Sequence, residues 1–299
     1  MKDALIVALI TSVIGGTAIA LELEDRDVEV YGFNIHYAES GDGPVVILLH
    51  GLWGGTNEWQ PVIEPLSENY RVIAMDFIGF HRSAKPEASY HNALLSQFLA
   101  GFIEVLALED VTLMGHAMGA NAATYTAFHH PEQISRLILV DGAGYRSPDR
   151  DLGRPMSEGM IRFRRTATGS SLDATENFLR RRVLDRSLVT REWAERAFYL
   201  WLSSARAIGD MLTEGGDVTE EEMQTIKVPT LILWGKEDEV FSVDNAHRLA
   251  QDIEGSELHV IEGSGHLPQL EQTAAFLDAV TGFLSRTTSG PLSQGSDAQ

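Results

Sequence analysis

The chain is predicted to be an α/β protein whose mostly parallel central sheet is flanked by helices and carries an inserted helical cap. Three observations predict it. Short apolar runs alternate with stretches of helical spacing, most of those runs are continuous, and one long stretch has no strand pattern at all. At 299 residues and 44% hydrophobic content, the chain is long enough to bury a large core without splitting into separate domains.

Two alternating runs, Val28 to Tyr31 and Phe33 to Tyr37, flank Gly32 and predict an antiparallel hairpin at one edge. Later runs are continuous: Val45 to Leu49, Val72 to Met75, Val111 to Met114, Leu137 to Val140, Thr230 to Trp234 and Leu258 to Ile261. Continuous apolarity is expected of strands covered on both faces. Helical spacing appears over Leu94 to Leu106, Ala122 to His130 and Phe276 to Leu284. From Tyr145 to Gln224 the strand signal stops, and Phe178, Val183, Leu188, Trp193, Phe198, Leu202 and Ile208 recur at helical spacing among many arginines. The predicted organisation is a core over 21–144 and 225–286, a cap over 145–224 between the sixth and seventh strands, and a polar, disordered tail over 287–299.

Residues 1–20 hold one Lys, an apolar run from Ala4 to Ile14, and Ala18-Ile19-Ala20 resembling a cleavage site. They predict a signal peptide or, since the apolar stretch nearly spans a bilayer, an uncleaved anchor. Export or membrane anchoring is thus expected ahead of a cytoplasmic location. Membrane contact follows only if the segment stays attached. A formal charge of −20 and four scattered Lys argue against nucleic-acid binding, which needs a basic surface. With no Cys, disulfides, thiolate nucleophiles and Cys-based metal sites are excluded. No P-loop, dinucleotide fingerprint or metal-ligand cluster is legible, so neither metal nor cofactor is implied.

The chemistry gathers after strand ends, where a parallel sheet opens its crevice. His50-Gly51-Leu52-Trp53-Gly54-Gly55 is a Gly-rich turn whose backbone can approach a developing oxyanion. Gly115-His116-Ala117-Met118-Gly119 has the small residues that let a strand turn sharply into a helix and display the middle residue, here Ala117. Trp234-Gly235-Lys236-Glu237-Asp238 puts a carboxylate beyond a strand, and Gly263-Ser264-Gly265-His266 puts an imidazole on a Gly-flanked loop. Taken singly, Asp238 reads as a cap or loop acid, and His50, His81, His116, His129 and His130 read as structural.

Jointly, these signals, the loop from Asp76 to Ser83, and the run Gly265-His266-Leu267-Pro268 through Glu271 resemble the α/β-hydrolase superfamily over about Asp27 to Leu284. The resemblance implies that Ala117 occupies the nucleophile position, that Asp238 orients His266 as the base, and that the amides of Leu52 and Met118 hold the oxyanion. Trp53, His81 and His116 are the candidate substrate-binding residues. Asp141 is the alternative acid, since some members of the superfamily use that position.

Alanine keeps the turn but supplies no attacking atom, so the chain is expected to bind substrate and barely turn it over. With Met118 beside it, the elbow resembles the serine branch of the superfamily more closely than the branch with an Asp nucleophile, that of haloalkane dehalogenases and epoxide hydrolases, which Ala117 excludes unless it replaced Asp. The chain reads as a deliberate Ser replacement or as a natural non-hydrolytic relative, and retention of every supporting part favours the first. Carboxylic-ester hydrolysis of a small hydrophobic substrate is the leading expectation, with Phe163, Trp193, Phe198 and Trp201 of the cap offering apolar surface. The alternatives are carbon–carbon bond hydrolysis of a dienoate, a binding pseudoenzyme, or a membrane-tethered scaffold. The dienoate reading rests on Arg162, Arg164, Arg165, Arg180, Arg181 and Arg182, which could grip a carboxylate, though such arginines usually form a solvated helix face.

Overall fold

A computed structural model of the chain describes residues 23–142, 171–214 and 218–287. The leader or anchor expected over 1–20, nearly all of the expected tail, and cap residues Arg162, Phe163, Arg164 and Arg165 lie outside them. Among the described residues, no helix is long and apolar enough to cross a membrane.

Eight strands form one sheet: β1 (Glu24–Val30), β2 (Phe33–Ser40), β3 (Val45–Leu49), β4 (Arg71–Met75), β5 (Val111–His116), β6 (Ile134–Val140), β7 (Thr230–Gly235) and β8 (Glu257–Ile261). Their order is β1-β2-β4-β3-β5-β6-β7-β8, with β2 antiparallel to both neighbours and the other pairings parallel. The edge hairpin turns through Tyr31 and Gly32, both with positive φ (52° and 82°), which is the two-residue geometry that suits a right-twisted ribbon.

The continuous runs do bury both faces. Along β3, Ile47 and Leu49 join one core cluster while Val46 and Leu48 join the other, and Ile232 and Trp234 split from Leu231 and Leu233 on β7 in the same way. The expectation fails for β8. His259 is exposed and Leu258 and Val260 only partly covered, because β8 is an edge strand whose outer side has no neighbour.

Helices α1 (Gln60–Ser67), α2 (Asn92–Val105) and α3 (Met118–His129) follow β3, β4 and β5. Between β6 and β7 lie α4 (Leu172–Leu179), α5 (Arg191–Ser203), α6 (Ala205–Glu214) and α7 (Glu220–Met223); α8 (Asp244–Asp252), α9 (Pro268–Glu271) and α10 (Thr273–Thr287) complete the described helices. In the inserted segment Phe178, Val183 and Ile208 are buried as their spacing predicts. Leu188 and Leu202 are instead 37% and 47% exposed, so helical spacing there does not mark a single buried face. The chain leaves β3 toward β4 on one side and returns through β5 on the other, opening a crevice above the β3 and β5 ends.

Candidate active site

Ala117 sits between β5 and α3 with φ 48° and ψ −111°, a conformation a non-glycine residue rarely adopts. The strain is held by packing. A Cβ on Gly119 would collide with the carbonyls of Leu49 and His50, so only glycine lets α3 come so close to the end of β3. The Ala117 N–H donates to Val140 O at 2.9 Å, tying the turn to β6. Thus the structure forms the sharp strand-to-helix turn that the sequence predicts, with a methyl at its tip.

His266 Nδ1 lies 2.8 Å from Asp238 Oδ2, and His266 is 3% exposed. Asp238 is itself fixed, since its Oδ1 accepts from the amides of Val240 (2.6 Å) and Phe241 (3.1 Å). A carboxylate on Nδ1 leaves the proton there and the lone pair on Nε2, to which no described residue hydrogen-bonds. Burial lowers the His266 pKa; the Asp238 hydrogen bond raises it only in part, leaving it at about 4. Burial raises the Asp238 carboxyl, but the His266 hydrogen bond and the two backbone amides more than offset it, so the acid stays below its ordinary range. The pair at neutral pH is therefore a neutral imidazole on an ionised carboxylate.

Asp141, at the end of β6, is fully buried beside this pair. Its Oδ1 accepts from Gly235 N at 2.9 Å, and its side chain faces Asp238. Burial and the neighbouring Asp238 push its pKa well above the ordinary value, favouring the neutral acid over the carboxylate. Among the described residues, Asp141, Asp238 and His266 are also the one grouping with metal-ligand spacing. There His266 Nδ1 and Asp238 Oδ2 are already hydrogen-bonded to each other.

The amides of Leu52 and Met118 make no hydrogen bond to another described residue. Met118 opens α3, whose first N–H groups have no partner within the helix. These two donors can receive a developing negative charge.

The substrate-side candidates divide. Trp53 joins Phe178 of α4 and Trp201 of α5 in a three-ring cluster, with centroids 5.0 to 5.5 Å apart, and its carbonyl accepts from Trp201 Nε1 at 2.9 Å. Trp193 and Phe198 are only partly buried. His81 (φ 44°) lies against Gly55 and His50, and its amide donates to Ser204 Oγ at 3.1 Å, so it links the loop after β4 to the inserted helices. Burial, with His50 nearby, lowers its pKa to about 4, leaving a neutral ring. His116 corrects the expectation placed on it. Fully buried, it has Nδ1 2.7 Å from Glu58 Oε1 and Nε2 2.8 Å from the His266 carbonyl, leaving no ring nitrogen for a substrate.

Two residues gain importance: Glu58, which sequence reasoning did not single out, and Arg182, which it named only as one of six arginines able to grip a carboxylate. Glu58 lies in the short 3-10 turn Thr56–Trp59 just after the Gly-rich turn, where an acid looks like a solvated side chain. Arg182 is the buried member of the arginine run, 4% exposed, and its Nη2 hydrogen-bonds no described residue. Arg180 pairs with Glu176 (3.0 Å) and Arg181 is exposed, so the solvated-face reading holds for those two. The Arg182 carbonyl accepts from His266 N at 2.8 Å, which places this stretch directly on the His266 loop. Glu271 locks the same junction, accepting from Leu184 N at 2.5 Å and Gly265 N at 2.9 Å.

Comparison with known proteins places the chain among proteins of the same fold. The 2-hydroxy-6-oxo-6-(2'-aminophenyl)hexa-2,4-dienoic acid hydrolase of Metapseudomonas resinovorans is 29% identical over 272 residues, covering 88% of this chain and 91% of that one. A meta-cleavage product hydrolase (CumD) from Pseudomonas fluorescens IP01, solved as a serine-to-alanine mutant with acetates, superposes with a TM-score of 0.77 at 28% identity, covering 88% and 98% of the two chains. A bacterial membrane phospholipase A superposes with a TM-score of 0.79 at 26% identity, covering 90% and 87%. Residues 44–273 match the family model described as the alpha/beta hydrolase fold. With that match over most of its length, the chain belongs to the alpha/beta hydrolase family.

Proposed function

We propose that this is the site of a carbon–carbon bond hydrolase acting on a 2-hydroxy-6-oxo-dienoate, with Ala117 leaving binding intact and suppressing turnover. This replaces ester hydrolysis as the leading expectation, because the dienoate hydrolases recur among the relatives. The observation that carries the reading is Arg182, a buried guanidinium beside the His266 loop whose Nη2 hydrogen-bonds no described residue. A buried unpaired donor is costly, and a substrate carboxylate satisfies it. An ester of two apolar halves offers nothing equivalent.

In this scheme Arg182 fixes the acid end and Trp53, Phe178 and Trp201 border the apolar end. Leu52 and Met118 amides receive the oxyanion at the ketone carbon. The 2-hydroxy-dienoate must first ketonise, its hydroxyl proton passing to the chain carbon beside the ketone. A serine at position 117 would then attack the ketone carbon, giving its proton to His266 Nε2. The carbon–carbon bond would break with its electron pair delocalised onto the new conjugated 2-keto group and protonated by His266, and water activated by His266 would release the acyl group from the serine. With alanine the attack is missing, and the retained interactions bind without completing the cycle.

Titration of the chain with a 2-hydroxy-6-oxo-dienoate, followed through its visible absorption, tests this. Saturable binding with little turnover is expected, weakened about tenfold or more by Arg182→Met, since hydrogen bonds to charged groups are worth about 1.5 to 3 kcal/mol. No binding, or equal binding by the variant, overturns it. Tighter binding of a long-chain acyl ester than of the dienoate would favour an ester substrate, the reading to which the phospholipase likeness points.

A further inference from the structure

We propose that Glu58 and His116 form a buried ion pair that positions the oxyanion turn, the elbow and the His266 loop against one another. The inference deepens the reading above by adding positioning residues, and it rests on Leu52 N–H being an oxyanion donor.

His116 lies between two acceptors, Glu58 Oε1 at 2.7 Å on Nδ1 and the His266 carbonyl at 2.8 Å on Nε2. A carbonyl can only accept, so Nε2 carries a proton. With Glu58 ionised, its Oε1 accepts from both Gly51 N at 3.1 Å and His116, so Nδ1 carries a proton too. The proposed pair is thus an imidazolium held on a carboxylate. The electrostatics agree: burial raises the Glu58 carboxyl, but the charge and hydrogen bond of His116, aided by Arg182, bring it down to about 2. Both side chains are withdrawn from solvent, at 0% and 7% exposure.

The pair touches each loop that the chemistry needs. Glu58 holds Gly51, the residue before Leu52, and so fixes where the Leu52 amide points. His116 immediately precedes Ala117 at the end of β5. Its second N–H holds the carbonyl of His266 itself. The turn can approach only because residue 51 is glycine, since a Cβ there would lie 2.7 Å from His116 Nδ1 and 3.5 Å from the Ala117 Cβ. A buried ion pair adds little net stability over an apolar pair of the same volume, so its value here lies in geometry. Displacements near 1 Å cost catalysis about a hundredfold.

The first test needs no turnover, so it stands even if the substrate assignment fails. Histidine-selective NMR of the unaltered chain should show both ring N–H protons of His116 at neutral pH. Glu58→Gln should abolish one of them and shift the backbone amides of Leu52 and His266. A single ring proton in the unaltered chain overturns the proposal without any variant. The second test uses the Ala117→Ser chain, where Glu58→Gln should lower kcat about tenfold to a hundredfold and leave KM within about twofold. An unchanged kcat, or a loss confined to KM, would equally overturn it.

Discussion

Two histidine–carboxylate pairs flank the elbow, and their difference separates chemistry from scaffolding. Their rings lie 4.7 Å apart, and each takes a carboxylate on Nδ1, Asp238 for His266 and Glu58 for His116. Their second nitrogens differ. His266 Nε2 is bound by no described residue, whereas His116 Nε2 is spent on a carbonyl. Only the first can move a proton to or from a ligand, and the second can only hold. The comparison teaches that a histidine is read by what its second nitrogen meets, which sequence does not disclose.

The largest expected effect distinguishes the pairs by kinetics. In an Ala117→Ser chain, His266→Ala should remove about a thousandfold or more of the regained kcat, and Asp238→Asn should approach that loss by releasing the tautomer. If Glu58→Gln matched His266→Ala, the division would be broken.

Stability should invert the ranking. Glu58→Ala leaves His116 as an uncompensated buried charge and should cost about 3 to 5 kcal/mol in denaturant unfolding, the expected penalty for stripping a buried pair of one partner. His266→Ala removes a ring already held neutral and should cost clearly less. Equal losses would blur the distinction.

Acid should act on both pairs in different windows. The Glu58 pKa falls from 4.5 unfolded to about 2 folded, so it contributes stability that is full above about 4.5 and lost as pH falls toward 2, on the order of 3 kcal/mol in all. The His266 pKa is depressed to about 4, so the folded state prefers the neutral ring, and its protonation below the ordinary 6.5 favours unfolding. In the Ala117→Ser chain the acid limb of kcat/KM should therefore lie near pH 4, with Glu58→Gln leaving its midpoint in place. A limb near 6.5 would show that His266 is not buried as described.

The smallest effect concerns Asp141. Its carboxyl is pushed toward the neutral acid, which Asn imitates, so Asp141→Asn should leave the histidine NMR titration of His266 nearly unmoved. A large downward shift would show that Asp141 is ionised.

Much of the fold was legible because burial on both faces writes itself into continuous runs such as Val45 to Leu49, and because the hairpin needs Gly32. Edge strand β8 was misread since an apolar run records hydrophobicity and not whether a neighbour covers it. Within the site, Ala117, Asp238 and His266 stood out because glycines and strand ends mark them. Glu58 was invisible, its partner lying far along the chain, and Arg182 was hidden among five other arginines whose burial no local pattern reveals.

The central claim is that everything but the attacking atom is in place around Ala117. Stopped-flow hydrolysis of a 2-hydroxy-6-oxo-dienoate by purified Ala117→Ser tests it most directly. The account predicts turnover at least about a thousandfold above the unaltered chain, consistent with what a missing nucleophile removes. A folded Ala117→Ser protein that binds the dienoate yet remains as slow as the parent would contradict it.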